Sequence, residues 1–135
     1  MIGLLLGSSM LMAQNDALPP ELSRAFDRYS RAWRDRDWST AFDVQSPAAQ
    51  QEMIKKFGSK DAWMKLFDKE FKDVITALER GRVYRMQDQL YTIKIMTKGY
   101  HVNKEEFVIH NYVTFQWDGR GWCLVETVYP TEKTN

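Results

Sequence analysis

At 135 residues the chain is long enough for one domain that buries roughly two-thirds of the surface its unfolded form exposes. Its hydrophobic content of 44% and aromatic content of 13% exclude a disordered chain, and 27% charged residues are typical of a globular protein surface. Nineteen basic and eighteen acidic residues are interleaved and give a net charge of +1, which argues against a nucleic-acid-binding protein.

Cysteine and histidine are scarce. Cys123 is the only cysteine, so an intramolecular disulfide cannot form, and no Cys/His spacing typical of a zinc site is present. We therefore predict no metal and no cofactor. Cys123 lies within a strand-like segment and is predicted to be a small buried hydrophobic residue.

The N-terminus resembles a secretory signal peptide. Residues 1–13 are apolar and uncharged, and they are followed by the polar residues 14–16. The apolar run is too short to span a bilayer. This pattern favours a secreted or periplasmic protein, whereas a translation start at Met10 or Met12 would make the protein cytoplasmic.

The remaining chain shows no linker or internal repeat. We predict a signal peptide and short leader over residues 1–18, one domain over residues 19–130 and a disordered tail over residues 131–135.

The first half of this domain is predicted to be helical. Pro19 and Pro20 are typical of a helix start, because proline has no N–H to leave unpaired in the first turn. An apolar stripe follows at helical spacing, made of Leu22, Ala25, Phe26, Tyr29, Ala32 and Trp33. The charged residues 34–37 interrupt this pattern, and a short second helix is predicted from Trp38.

Two serines predict two further helices. Ser46 is followed by a proline and Ser59 by a new apolar stripe, as expected for N-terminal caps. The first of these helices is predicted to end at Gly58.

The pattern changes from helix to strand at Gly81. Strands are predicted over residues 83–86 and 90–97, with a turn between them, an end at Lys98-Gly99 and a polar loop over residues 100–104.

The strongest strand signal covers residues 105–130, with a turn at residues 118–121. Apolar residues occupy one face, interrupted only by Asn111, and His110 and Tyr112 lie on the other. Helices followed by strands predict an α+β fold, with the helices packed against one face of an antiparallel sheet. The sheet is strongly curved if it wraps around the first helix.

Three motifs resemble the nuclear transport factor 2-like superfamily, also called SnoaL-like or cystatin-like cone proteins. They are YSRAWRDRDW at residues 29–38, SPAAQQEM at residues 46–53 and FQWDGRGW at residues 115–122. The resemblance covers nearly the whole predicted domain. It implies a cone, in which a curved antiparallel sheet surrounds the first helix and often holds a pocket.

This superfamily contains enzymes and ligand-binding proteins, so the resemblance does not by itself assign a function. Arg28, Tyr29 and Asp37 match the spacing of a motif in its ketosteroid isomerases, whose tyrosine donates a hydrogen bond to an enolate. The isomerase reaction also requires a carboxylate base and a second acid donor. Neither is found. The SPAAQQEM helix takes the place of the loop that carries the base in the isomerases, and the position of the second acid donor falls near Val113, which cannot donate.

The sequence leaves two functions open. The first is a non-enzymatic protein that binds a small apolar or amphipathic ligand in the cone, or associates through its sheet, for example as a homodimer. Its candidate ligand-binding residues are Tyr29, Trp33, Trp38, Trp63, His110 and Tyr112. The alternative is a small isomerase, dehydratase or cyclase with His110 or Glu126 as base and Tyr29 as hydrogen-bond donor. His101, in the predicted loop, is expected to be solvated.

Overall fold

A computed structural model describes residues 17–130. The helices are α1 (Pro20–Arg34), α2 (Trp38–Asp43), α3 (Pro47–Phe57) and α4 (Lys60–Glu70). The strands are β1 (Val74–Gln87), β2 (Leu90–Tyr100), β3 (Glu106–Trp117) and β4 (Trp122–Val128). The predicted leader, apart from its last two residues, and the predicted tail lie outside the described residues.

The strands form one antiparallel sheet in the order β1-β2-β3-β4. Helix α1 contacts β1 and β4, which are the two edge strands. One helix can reach both edges of a four-stranded sheet only if the sheet curves around it. Register shifts within the β1–β2 and β3–β4 pairs increase the local bending of the strands.

The core lies between α1 and the inner face of this sheet. Leu22, Phe26 and Tyr29 on one face of α1 are buried, as the helical spacing predicts. They pack against apolar residues from all four strands, namely Ile75, Leu78, Ile93, Ile95, Val113, Phe115 and Leu124. The predicted α+β fold class, with helices on one face of a curved antiparallel sheet, is confirmed.

Several predicted boundaries follow from local hydrogen bonds. Ser46 caps α3 by accepting a hydrogen bond from the Ala49 amide, and Ser59 caps α4 through the Ala62 amide. In the last turn, the Asp118 carboxylate accepts hydrogen bonds from the amides of Arg120 and Gly121, which lower the pKa of Asp118.

Strand β1 is longer than predicted. It begins at Val74, not at residue 83, and Gly81 lies inside it beside a register shift between Arg80 and Val83. The sequence obscured this segment because a register shift between Ile75 and Ala77 breaks the alternation, so that the inward-facing residues are three positions apart, a spacing that also fits a helix. Its inner face is marked by Ile75 and Leu78.

The sequence predicts that β2 ends at Lys98-Gly99, but Gly99 lies within the strand. The strand continues to Tyr100, and Gly99 is buried opposite Ile75 of β1 and Phe107 of β3. A Cβ atom at this position would collide with the carbonyl oxygen of Val74. Glycine is therefore needed here for the close approach of two backbones.

The segment between α2 and α3 covers the outer edge of β4. The Leu124 amide donates to the Val44 carbonyl, and the Ser46 amide donates to the Leu124 carbonyl, both at 2.8 Å. These bonds pair part of an otherwise open strand edge and fix the start of α3 against the sheet.

Candidate functional site

A partly enclosed cavity of about 110 Å³ lies between α1 and the inner face of the sheet. It is bounded by the C-terminal half of α1, the connection between α4 and β1, the inner faces of β1, β2 and β3, and the residue that follows β4. The lining residues are Tyr29, Trp33, Phe71, Asp73, Ile75, Leu78, Thr97, Phe107, Ile109 and Tyr129. A cavity of about 150 Å³ holds benzene in another protein, so this one suits a single small ring or a short alkyl group.

Regular secondary structure places most of these side chains. Tyr29 and Trp33 are four residues apart on α1 and therefore lie on one face of the helix. Phe107 and Ile109 alternate with outward-facing residues along β3. The cavity is thus continuous with the apolar core and lies where side chains do not fill the space.

Tyr29 contributes a hydroxyl group at the inner wall. Its side chain is 3% exposed, and burial raises its pKa well above the ordinary tyrosine value, with a smaller contribution from Tyr129. The neighbouring Thr127 side chain opposes this rise in the pKa. Tyr29 is therefore a neutral group at physiological pH.

A second polar group comes from Thr97, whose hydroxyl donates to the Asn111 side-chain oxygen at 3.1 Å. Asn111 is 1% exposed. This bond explains why a polar residue interrupts the apolar face of β3, since a buried amide requires a partner.

An Asp–His pair lies at the mouth of the cavity. His101 Nδ1 is 3.1 Å from Asp73 Oδ1, and the imidazole stacks on Phe107 with 4.6 Å between ring centroids. The carboxylate and the aromatic ring together fix the orientation of the imidazole. His101 is thus held against the site, although it is also half-exposed.

Arg36 fixes the backbone that carries Asp73. Its guanidinium donates to the carbonyl oxygens of Phe71 at 2.8 Å and of Asp73 at 3.3 Å, and it also binds the carbonyl and carboxylate of Asp68. The same group lies over the Trp38 ring at 5.2 Å. The turn after α1 is thereby tied to the connection between α4 and β1.

The three residues of the enzyme alternative do not meet. His110 is exposed and opposes Met96, Glu126 is exposed and opposes Thr114, and Tyr29 is buried under the inner face. Their neighbours Asn111, Val113 and Phe115 are buried, so His110 lies on the outer face of the sheet. The arrangement offers no shared cavity to these three side chains.

The six candidate ligand-binding residues separate into three places. Tyr29 and Trp33 line the cavity. Tyr112 lies with His110 on the outer face of β3. Trp38 and Trp63 belong to an aromatic cluster between the helices, together with Phe42, Phe67 and Phe71.

The sequence did not mark four residues of the site as one group. Three of them line the cavity, namely Asp73, Thr97 and Tyr129, and His101 contacts Asp73 at its mouth. Asp73 and His101 are 28 positions apart, and they meet because Val74 pairs with Tyr100. That register was not predicted, because β1 was expected to start later.

Among residues 17–130, no group of three or more His, Cys, Asp or Glu side chains is arranged to hold a metal ion. Within the same range, no helix is long and apolar enough to cross a membrane. Cys123 is buried, and this burial raises the pKa of its thiol.

Several solved structures have a similar fold. A SEC-C motif containing protein from Rhodopseudomonas palustris has a TM-score of 0.61 and 13% identity, over 83% of this chain and 88% of that chain. An Ntf2 like protein involved in plasmid conjugation has a TM-score of 0.50 and 11% identity, over 88% of this chain. Bd1075 of Bdellovibrio bacteriovorus has a TM-score of 0.52 and 12% identity, over 84% of this chain.

The chain spans 43% of the plasmid conjugation protein and 41% of Bd1075. No protein-family model matches the sequence, and no curated protein matches it significantly. At these identities the structural likeness concerns the fold alone. The chain has an α+β fold similar to that of a nuclear transport factor 2-like protein.

Proposed function

We propose that this protein binds a small apolar or amphipathic ligand in the cavity between α1 and the inner face of the sheet. The observation that supports the proposal is the composition of the cavity wall, in which five of the ten lining residues are aromatic and a few polar groups lie among them. Binding sites for small molecules commonly combine apolar walls with a small number of positioned polar groups.

The size and position of the cavity also support this function. Its volume of about 110 Å³ suits one ring or a short alkyl group. Ile109 and Tyr129 line it while remaining 40% and 60% exposed, so the site communicates with solvent. An amphipathic molecule can therefore place its apolar end inside and its polar end at the mouth.

Two neighbouring residues of β3 provide a matched test. Ile109 lines the cavity, whereas Val108 points to the outer face of the same strand and is 54% exposed. We expect 2-phenylethanol to bind saturably and to perturb the NMR signals of Trp33 and Phe107. Ile109→Trp should fill the mouth and weaken binding about tenfold or more, and Val108→Trp should leave the affinity unchanged. Equal effects of the two variants, or no saturable binding to the wild type, would contradict the proposal.

Association through the outer face of the sheet is a second candidate function. Val108 on β3 and Val128 on β4 are 54% and 41% exposed, and Tyr112 lies beside Val128 across the strands. Exposed apolar residues of this kind favour a contact with a second copy of the chain. Sedimentation should then show a dimer that Val108→Glu converts to a monomer. A wild-type monomer at high micromolar concentration would refute this candidate.

A further inference from the structure

The cavity wall carries one charged residue among the lining residues that the structure describes, and that residue is Asp73. The aromatic residues around it are Tyr29, Trp33, Phe71, Phe107 and Tyr129. A carboxylate attracts a cation directly, and the faces of aromatic rings attract a cation through their quadrupoles. The same groups repel an anion.

The charge of Asp73 is not cancelled by Arg36. The guanidinium donates to the main-chain oxygen of Asp73 and forms its ion pair with Asp68, at 3.2 Å. The charge of the guanidinium is therefore balanced by the Asp68 carboxylate, and the guanidinium holds the backbone at Asp73 in place. The Asp73 side chain remains one-third exposed, so a ligand at the mouth can reach it.

His101 is the neighbour that contacts the Asp73 carboxylate. In its neutral form the imidazole donates Nδ1–H to Asp73 Oδ1 and leaves the negative charge in place. Stacking on Phe107 holds the ring to one side of the mouth. One carboxylate oxygen is thus oriented by His101, and the other is not engaged by it.

We propose that the ligand of this cavity is an amine, whose ammonium group binds Asp73 at the mouth while its ring or short alkyl group occupies the aromatic interior. This inference rests on the proposed function, because it names the chemical class of the ligand for the same cavity. Lys72 and Lys104 line a separate open groove together with His101, and neither of them lines the cavity.

Three probes of nearly equal size distinguish the effect of ligand charge on the affinity from the effect of apolar packing. They are 2-phenylethylamine, which is a cation, 2-phenylethanol, which is neutral, and phenylacetate, which is an anion. Affinities are measured by calorimetry at pH 8, where imidazole groups are ordinarily neutral and alkylamines are protonated. We expect the amine to bind at least tenfold more tightly than the alcohol, and phenylacetate to bind most weakly.

Asp73→Asn removes the charge at nearly constant volume and retains an oxygen that can accept from His101. The variant should lose the tenfold preference for the amine and keep the affinity for the alcohol. Asp73→Glu should retain a preference for the amine, and thermal unfolding of both variants checks that they remain folded.

The outcomes distinguish the two proposals. Equal affinities of the wild type for amine and alcohol, or a preference for the amine that survives in Asp73→Asn, would overturn the amine inference and leave the apolar cavity site intact. Absence of binding by all three probes would overturn both.

Discussion

Two aromatic regions of this protein share Trp33 and Phe71 but differ in how their space is filled. Between the helices, the rings contact one another directly, and the indole N–H of Trp38 donates to Asp68 at 2.9 Å. Between α1 and the inner face of the sheet, the rings instead surround about 110 Å³ of open space, with an Asp–His pair at its mouth. The same residue types therefore form packed core in one place and the wall of a candidate site in the other.

The two regions differ in the kind of elements that converge on them. Helices α1, α2 and α4 bring side chains to the helical cluster from three directions, so each ring finds a partner. Around the cavity, α1 contributes only Tyr29 and Trp33, and the other lining residues come from the strands and the segments next to them, which leave open space between the rings. Aromatic content alone thus does not separate core from pocket.

Removing one ring from each region should show the largest contrast in stability. Trp38 is 4% exposed and lies 4.8 Å from Phe67 between ring centroids, whereas Tyr129 is 60% exposed. Trp38→Ala should lower the free energy of unfolding by about 3–5 kcal/mol, because it leaves a cavity among the packed rings. Tyr129→Ala should cost less than about 1 kcal/mol. Chemical denaturation measures both, and similar losses would show that the two regions do not differ as described.

A smaller effect is expected from the pH dependence of the helical cluster. Hydrogen bonds from the Trp38 indole and the Arg36 guanidinium lower the pKa of Asp68. A carboxyl group with a lowered pKa in the folded state stabilises the protein above its unfolded value of about 3.9, and this contribution is lost as the pH falls through the folded value. The thermal midpoint should therefore drop on acidification below about pH 4.

Asp68→Asn removes this titration and keeps an oxygen that can accept from Trp38. Its thermal midpoint should lie below that of the wild type at neutral pH, and the two curves should converge in acid. Parallel curves from pH 7 to pH 2 would show that Asp68 does not contribute in this way. Arg34→Lys provides a control, because it changes an exposed residue and keeps its positive charge.

The sequence predicted most elements because their signals are local. Ser46 and Ser59 cap helices through amides three residues away, and Asp118 closes a turn through amides two and three residues away. Such bonds depend on few neighbours and can be inferred from short motifs. The inner face of β3 was also predictable, because apolar residues alternate along it.

The first half of β1 and the role of Gly99 were not predictable in the same way. Each depends on the neighbouring strand, since the approach of the Val74 carbonyl explains Gly99 and a register shift against β2 puts Ile75 and Leu78 on one face of β1. Asn111 illustrates the same limit, because its partner Thr97 is 14 positions away and lies on another strand.

By itself, the sequence determined the helices, the hairpins and the side of β3 that faces the core, because these follow from spacing, caps and turns. Only the tertiary structure decided that Trp33 borders open space while Trp38 is sealed, that His110 lies outside the cone and that His101 meets Asp73. The physical reason is that a cavity and a side-chain pair depend on distances between segments far apart in the chain, and local patterns do not specify those distances.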